Sequence, residues 1–417
     1  MLSSPLPTCS TGRGTSRHGP LALQRPGRAP EARVGGVAPG GAMGRGRAAG
    51  ALALALAGGA AAAAGAAAGA ASGRRGARER PGGLAGAVGR TPLVELQSLS
   101  RATGRQIWAK CENLNPTGSV KDRAALGMLQ AAEAAGRLGG EAGGRGVVEA
   151  TGGNTGIALA QHCAARGYAA TLVVPNNVST EKTDQIRAFG AEVVSAPAGV
   201  PFADRRHYFP TAKRLADERG LVFLNQFDND ANFQAHKEGT GPEIWQQLEG
   251  KLDAFVAAAG TGGTFAGISS FFKERRGAVR CILADCPGSG LKSFVETGSF
   301  SSTGASAVQE GIGIGRLTQN FAKAKADAAV FVSDEEALAM AYYLLRREGI
   351  FVGPSAALNV AAAVKVARDL PEGSRVVTVL CDSGDRYLKK LFTPRWRARE
   401  EAAAARRGPG DELSFLA

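Results

Sequence analysis

From residue 84 onward, short apolar or β-branched runs bounded by Gly, Asn or Pro alternate with stretches of helical periodicity, and this alternation constrains the fold more than any other feature of the chain. Strands are expected at 106–112, 146–150, 170–175, 191–196, 221–225, 253–260, 279–285 and 375–381. Helices fit between them at 120–136, 154–167, 181–190, 211–220, 264–275, 335–349 and 355–369. Strands joined through helices run parallel and need cover on both faces, so the class is α/β. The number of repeats exceeds one compact sheet. Two three-layer lobes with mainly parallel sheets are therefore expected, with a cleft between them at the strand C-termini, where ligands bind.

With 417 residues, 44% hydrophobic and 21% charged, the chain is long enough for two such lobes. Its net charge of +13 suggests nucleic acid at first sight, but residues 1–80 hold eleven Arg, no Lys and only Glu31 and Glu79. That segment carries +9, leaving +4 for the other 337 residues, and no run interleaves basic with aromatic side chains. We therefore expect no nucleic-acid partner. The same segment lacks Phe, Tyr and Trp and cannot bury a core. Residues 1–83 read as a targeting or low-complexity segment, first as a plastid or mitochondrial presequence. The uncharged stretch 48–72 is long enough to act as an N-terminal membrane anchor, the second reading, although it is mostly Ala and Gly; a functionless tail on a cytoplasmic protein is the third. The six cysteines are scattered without metal-ligand spacing, so neither a metal site nor a disulfide framework is expected. The closest pair, Cys281 and Cys286, should sit at the two ends of one strand, too far apart to bridge.

Three strand-to-helix junctions are rich in glycine and hydroxyl residues: EATGGNTGIALA (149–160), AAGTGGTFAGI (258–268) and VGPSAALNVAAA (352–363). Exposed N–H groups at a helix start form an anion cradle, and glycine lets the backbone approach the anion. Any one such turn also serves as ordinary capping. The stretch LNPTGSVKDRAAL (114–126) adds a lysine, Lys121, between a Gly-Ser turn and an apolar helical pattern; the plain alternative is a surface lysine paired with Asp122. Neither a P-loop nor a dinucleotide fingerprint in the right phase is present.

The segments NPTGSVKDRAAL, TGGNTGIALA, NQFDNDANFQAHKEGTGPEIW (225–245), GTGGTFAGI, EGIGIGRLT (310–318) and CDSGDRYL (381–388) resemble, in order and spacing, the cysteine synthases (O-acetylserine sulfhydrylases) of the tryptophan-synthase-β-like pyridoxal phosphate enzymes. The resemblance spans about residues 84–394. It implies pyridoxal 5'-phosphate in the cleft, bound as a Schiff base to Lys121, which then serves as general base. It further implies that Gly260, Thr261, Gly262, Gly263 and Thr264 cradle the phosphate, Asn154 bonds the phenolic oxygen and Ser355 faces the pyridine nitrogen. Thr151, Gly152, Asn154, Thr155 and Gln226 match the substrate-binding residues. The reaction so implied is loss of acetate from O-acetylserine, through an aminoacrylate, and addition of sulfide to form L-cysteine. A homodimer and a serine acetyltransferase partner are also implied.

Two positions depart from the family pattern. Gly152 stands where a serine is usual, which removes a hydroxyl near the reacting carbon. Ala357 stands where glycine is usual and is expected to bring a methyl close to the cofactor ring. Cystathionine β-synthase-like, O-phosphoserine-using and dehydratase-like enzymes, or a silent partner of serine acetyltransferase, are the alternatives. By the same resemblance, 84–114 with 226–395 would form the larger cofactor lobe, 115–225 a smaller, mobile substrate lobe, and 396–417 a polar tail.

Overall fold

The computed structural model describes residues 82–139, 146–302, 308–406 and 413–416. The expected targeting segment, apart from residues 82 and 83, and the stretch 48–72 lie outside the described residues. In chain order the strands are β1 (Leu93–Glu95), β2 (Gln106–Lys110), β3 (Gly146–Ala150), β4 (Ala169–Pro175), β5 (Glu192–Ala196), β6 (Val222–Phe223), β7 (Ala254–Ala258), β8 (Arg280–Asp285), β9 (Ala328–Phe331) and β10 (Arg375–Val379). The helices are α1 (Gln97–Thr103), α2 (Lys121–Ala134), α3 (Asn154–Ala164), α4 (Thr180–Ala188), α5 (Tyr208–Arg219), α6 (Asp230–Ala235), α7 (Gly241–Gln247), α8 (Gly263–Arg275), α9 (Leu291–Thr297), α10 (Asp334–Tyr343), α11 (Pro354–Arg368) and α12 (Pro394–Arg406).

The strands form two sheets, one ordered β1-β2-β10-β7-β8-β9 and one ordered β5-β4-β3-β6. Among the described residues only β1 is antiparallel to its neighbouring strand; every other strand pair is parallel. Because side chains alternate along a strand, each central strand feeds two cores. Ala254 and Val256 of β7, with Ile282 and Ala284 of β8, pack on the side of α1, α10 and α11. Phe255 and Ala257, with Cys281 and Leu283, pack on the side of α7 and α8. The smaller sheet divides likewise: Val147 and Leu172 face α2 and α3, whereas Val148 and Val173 face α5. Both sheets are thus the middle layer of three, as the strand–helix alternation implied.

Every expected strand and helix is present, with ends shifted by a few residues in either direction. The edge strands β1 and β9 were not expected; each is short and half-buried for most of its length, so neither carries a strong apolar pattern. The expected helix 335–349 ends earlier as α10 and continues as a π-helical turn, Leu344–Glu348. Cys281 and Cys286 sit at the two ends of β8, and the described cysteines are free thiols. The segment expected as a polar tail instead forms α12, and beyond it Leu413 and Leu416 are buried against the core of α10 and α11. The Arg368 guanidinium donates to the Leu416 carbonyl at 2.8 Å and the Leu413 carbonyl at 3.2 Å. Among the described residues no helix is long and apolar enough to cross a membrane.

Candidate active site

A cavity of about 230 Å³ opens at the C-terminal ends of β3, β7 and β10. Lys121 enters it from the first position of α2. The turn before it is set by Gly118, whose φ of +78° favours glycine, and by an antiparallel bridge between Ser119 and Asp382. Val120 N–H donates to the Cys381 carbonyl at 2.8 Å, which fastens the start of α2 to the end of the large sheet. Asp122 is not the lysine's partner: its carboxylate accepts from the Thr117 N–H at 3.1 Å and from the Thr117 hydroxyl. Burial lowers the Lys121 pKa from the usual lysine value, against the opposing pull of Cys381 and Asp382.

The loop after β3 carries Thr151, Gly152, Asn154 and Thr155 along one wall. Thr151 Oγ1 accepts from the N–H groups of Gly153 (3.1 Å) and Gly156 (3.2 Å), which folds the loop onto the start of α3. Thr155 donates to Gln226 Oε1 at 2.6 Å, and Gln226 Nε2 donates to the Ala150 carbonyl at 2.7 Å. Asn154 is held from both sides of its amide: it donates to Asp382 at 2.7 Å and accepts from Arg386 at 2.6 Å.

Across the cavity, Gly260, Thr261, Gly262 and Thr264 form the opposite wall, while Gly263 lies just behind it. Gly262 caps α8 at φ +91° with no side-chain hydrogen bond, so the first-turn N–H groups are left for a ligand. Close neighbours require these glycines. A Cβ on Gly260 would lie 2.0 Å from the Gly311 carbonyl oxygen, and one on Gly262 would lie 2.5 Å from Phe321 N. Thr264 Oγ1 sits 3.1 Å from His236 Nε2. Burial, then the charges of Arg123 and Lys121, hold that imidazole well below its ordinary pKa, which favours its neutral form. His236 begins a π-helical turn, His236–Thr240, between α6 and α7. Ser355, buried at the start of α11, supplies a hydroxyl beside Cys381.

All the residues given a site role from the sequence except Gly263 therefore line one cavity. Ala357 does not: it is fully buried in the core beneath α11, while Ser355 and Asn359, one turn apart, face the cavity. Sequence reasoning gave no site role to Lys182, a motif-flanking lysine set aside because it lies outside a glycine-hydroxyl turn, nor to Glu310 and Tyr387 in the lining and Asp382 and Arg386 behind it. Glu310 and the last three stand in EGIGIGRLT and CDSGDRYL, segments that carried the resemblance without being given roles. Lys110 is sealed elsewhere, donating to the Thr91 carbonyl, Glu243 and Gln247. Among the described residues no cluster of His, Cys, Asp and Glu is placed to hold a metal ion. A desolvated amine, an uncapped helix start and a buried hydroxyl around one cavity suit an aldehyde-bearing, phosphorylated aromatic ligand.

A family profile described as "Pyridoxal-phosphate dependent enzyme" matches residues 84–382. The chain is 46% identical over 328 residues to "Cysteine synthase 1" of Neurospora crassa, covering 78% of this chain and 86% of that protein. It is 41% identical over 333 residues to a Saccharomyces cerevisiae protein provisionally named a mitochondrial cysteine synthase, covering 74% of this chain and 84% of that one. Among solved structures, an O-acetylserine-dependent cystathionine beta-synthase from Helicobacter pylori matches with a TM-score of 0.67 and 34% identity, covering 74% of this chain and 97% of that one.

Proposed function

The chain belongs to the pyridoxal-phosphate-dependent enzymes, and from that premise we propose that it is a cysteine synthase, replacing the acetoxy group of O-acetylserine with sulfide to give L-cysteine. The observation that carries this reading is the placement of the Lys121 amine in one cavity with the uncapped start of α8 and the loop after β3. Pyridoxal phosphate, when bound, supplies an aldehyde that takes up an amino group and a conjugated ring that spreads the charge left at Cα. We assign its phosphate to the backbone of Gly260, Thr261, Gly262, Gly263 and Thr264, its ring oxygen to Asn154 and its ring nitrogen to Ser355. A hydroxyl in that last place, unlike a carboxylate, does not hold a proton on the ring nitrogen, which favours prompt loss of the group at Cβ.

Lys121 is the proposed attachment point and general base: its Nζ takes the Cα proton, and desolvation favours the neutral amine this requires. The substrate carboxylate is assigned to Thr151, Gly152, Asn154, Thr155 and the Gln226 amide. The hydrogen bonds of Thr151 and Gln226 keep this wall preorganised. We further assign the cofactor lobe to 84–114 with 226–395 and a mobile substrate lobe to 115–225, supported by the division of strands between the two sheets.

Incubating the purified holoenzyme with O-acetylserine, O-phosphoserine or serine, each with and without sulfide, tests the function. Cysteine is expected only with sulfide and fastest from O-acetylserine. Keto acid released equally well without sulfide points to a dehydratase, and no turnover with any donor overturns the reading. A cystathionine β-synthase-like enzyme is the second reading, favoured by the solved structure at 34% identity but less so than the relative at 46%. It predicts faster turnover with a larger thiol than with sulfide.

For residues 1–80 we propose organelle import, mitochondrial or plastid, on their arginine-rich, acid-poor composition. A chain starting near Pro81 should then turn over like the full chain, and loss of cofactor or solubility would assign the segment to the fold. A homodimer and a serine acetyltransferase partner are proposed from the family resemblance. Light scattering, with and without that enzyme, measures both.

A further inference from the structure

The cavity holds a second lysine that the reaction as described does not use. Lys182 on α4 is only 2% exposed and lines the same space as Lys121 and Gly152. Its stem lies against the substrate loop, so closely that a Cβ on Gly153 would come within 2.9 Å of Lys182 Cδ. Its ammonium pairs with Glu310 and stands 4.7 Å from the centroid of the Tyr387 ring. Glu310 is shared: its other oxygen accepts from Lys390 at 2.8 Å. Burial would raise the Glu310 carboxyl, but Lys182 and Lys390 hold it below the usual glutamate value. A buried ammonium without an anion is costly, so Lys182 stays with Glu310 until another anion offers itself. Because Lys390 keeps Glu310 paired, Lys182 can turn away without stranding that carboxylate.

The proposed reaction produces such an anion inside the cavity. The Cβ–O bond of the donor breaks with its electron pair going to oxygen, Lys121 holds the Cα proton, and acetate is left in the cavity; acetate departs, hydrosulfide forms the S–Cβ bond, and Lys121 returns the proton to Cα. We propose that Lys182 receives the departing group and thereby selects the donor: its ammonium leaves Glu310 to Lys390 and pairs with the oxygen released from Cβ. This rests on the cysteine-synthase reading. A carboxylate or phosphate leaving group gains from this contact, and the hydroxyl of serine gains least.

The rival role for the same residues is a latch, since Lys182–Glu310 and the neighbouring Glu181–Lys389 pair (2.5 Å) tie α4 to the segments at 310 and 389. Acetate separates the two. Its inhibition constant against O-acetylserine, and its direct binding to the holoenzyme by calorimetry, are compared in wild type, Lys182→Gln, Lys182→Arg and Glu310→Gln. Selection by Lys182 requires acetate to bind at least about tenfold more weakly to Lys182→Gln, with substantial recovery in Lys182→Arg. It requires tighter acetate binding in Glu310→Gln, where the competing carboxylate is gone. Unchanged acetate binding in Lys182→Gln, or weaker binding in Glu310→Gln, overturns the proposal in favour of the latch. If Lys182→Gln fails to fold, the opposite signs expected for Glu310→Gln still decide. Should the wild type form no cysteine from any donor, the parent reading fails, while calorimetry still reports whether Lys182 holds an anion.

Discussion

At the scale of single residues, two lysines share one cavity and differ in what surrounds them. Lys182 has a carboxylate partner, whereas the Lys121 amine has no acceptor within hydrogen-bonding distance among the described residues and is desolvated. That difference supports the proposed assignment of Lys121 as the nucleophile. Lys121→Ala should retain the phosphate cradle yet lower turnover by at least about 10³-fold, the loss of a positioned general base. Borohydride reduction of the holoenzyme and peptide mapping should place the pyridoxyl label on Lys121; a label on Lys182 would reverse the two roles. Gly152 presents a different opportunity, because a Cβ there meets nothing within 4 Å. Gly152→Ser fits without strain and is expected to raise kcat/KM for O-acetylserine about tenfold, the worth of one added hydrogen bond. No gain would show that the missing hydroxyl does not touch the substrate.

At the scale of elements, β3 is held to the loop after β6 by a buried carboxyl. Glu149 accepts from the Ala150 N–H at 2.9 Å and the Gln226 N–H at 3.2 Å, fixing the segment whose Gln226 side chain faces the cavity. Burial raises this carboxyl to about 8. A raised carboxyl favours the protonated folded state, so its contribution to stability is present below the unfolded value near 4.5 and is lost as pH rises toward 8. Glu149→Gln removes that titration. The melting temperature of the variant minus that of wild type should therefore rise from about pH 4.5 to about pH 8 and then level off. A difference independent of pH would show that Glu149 is ionised throughout. The start of α8 is the opposite case: no side chain caps its N–H groups, which leaves them for the proposed phosphate.

At the scale of the whole molecule, the last residues belong to the larger core. Leu413 and Leu416 are 8% and 3% exposed, and Phe415 packs 6.5 Å from Tyr343 between ring centroids. Ending the chain at Arg406 uncovers the face of α10 and α11 that these residues bury. A loss of about 2–5 kcal/mol is expected in denaturant unfolding, the range for removing large buried side chains. Turnover at low temperature should be unchanged, because none of these residues lines the cavity. An unaltered unfolding midpoint would mean that the segment does not dock in solution.

The sequence by itself determined what depends on neighbours in the chain. Strand and helix identity follows from periodicity within a dozen residues, and the glycine turns and Lys121 were legible because each is contained in one strand-to-helix junction. Tertiary structure alone decided what depends on pairing across the chain. The insertion of β10 between β2 and β7 brings Asp382 and Arg386 against Asn154, more than two hundred residues earlier. The meeting of Lys182 with Glu310 spans 128 positions, so no local pattern announces it. Ala357 shows the same limit at short range. It lies two residues from Ser355, but two helical steps turn a side chain by about 200°, so its methyl goes into the core while the hydroxyl faces the cavity.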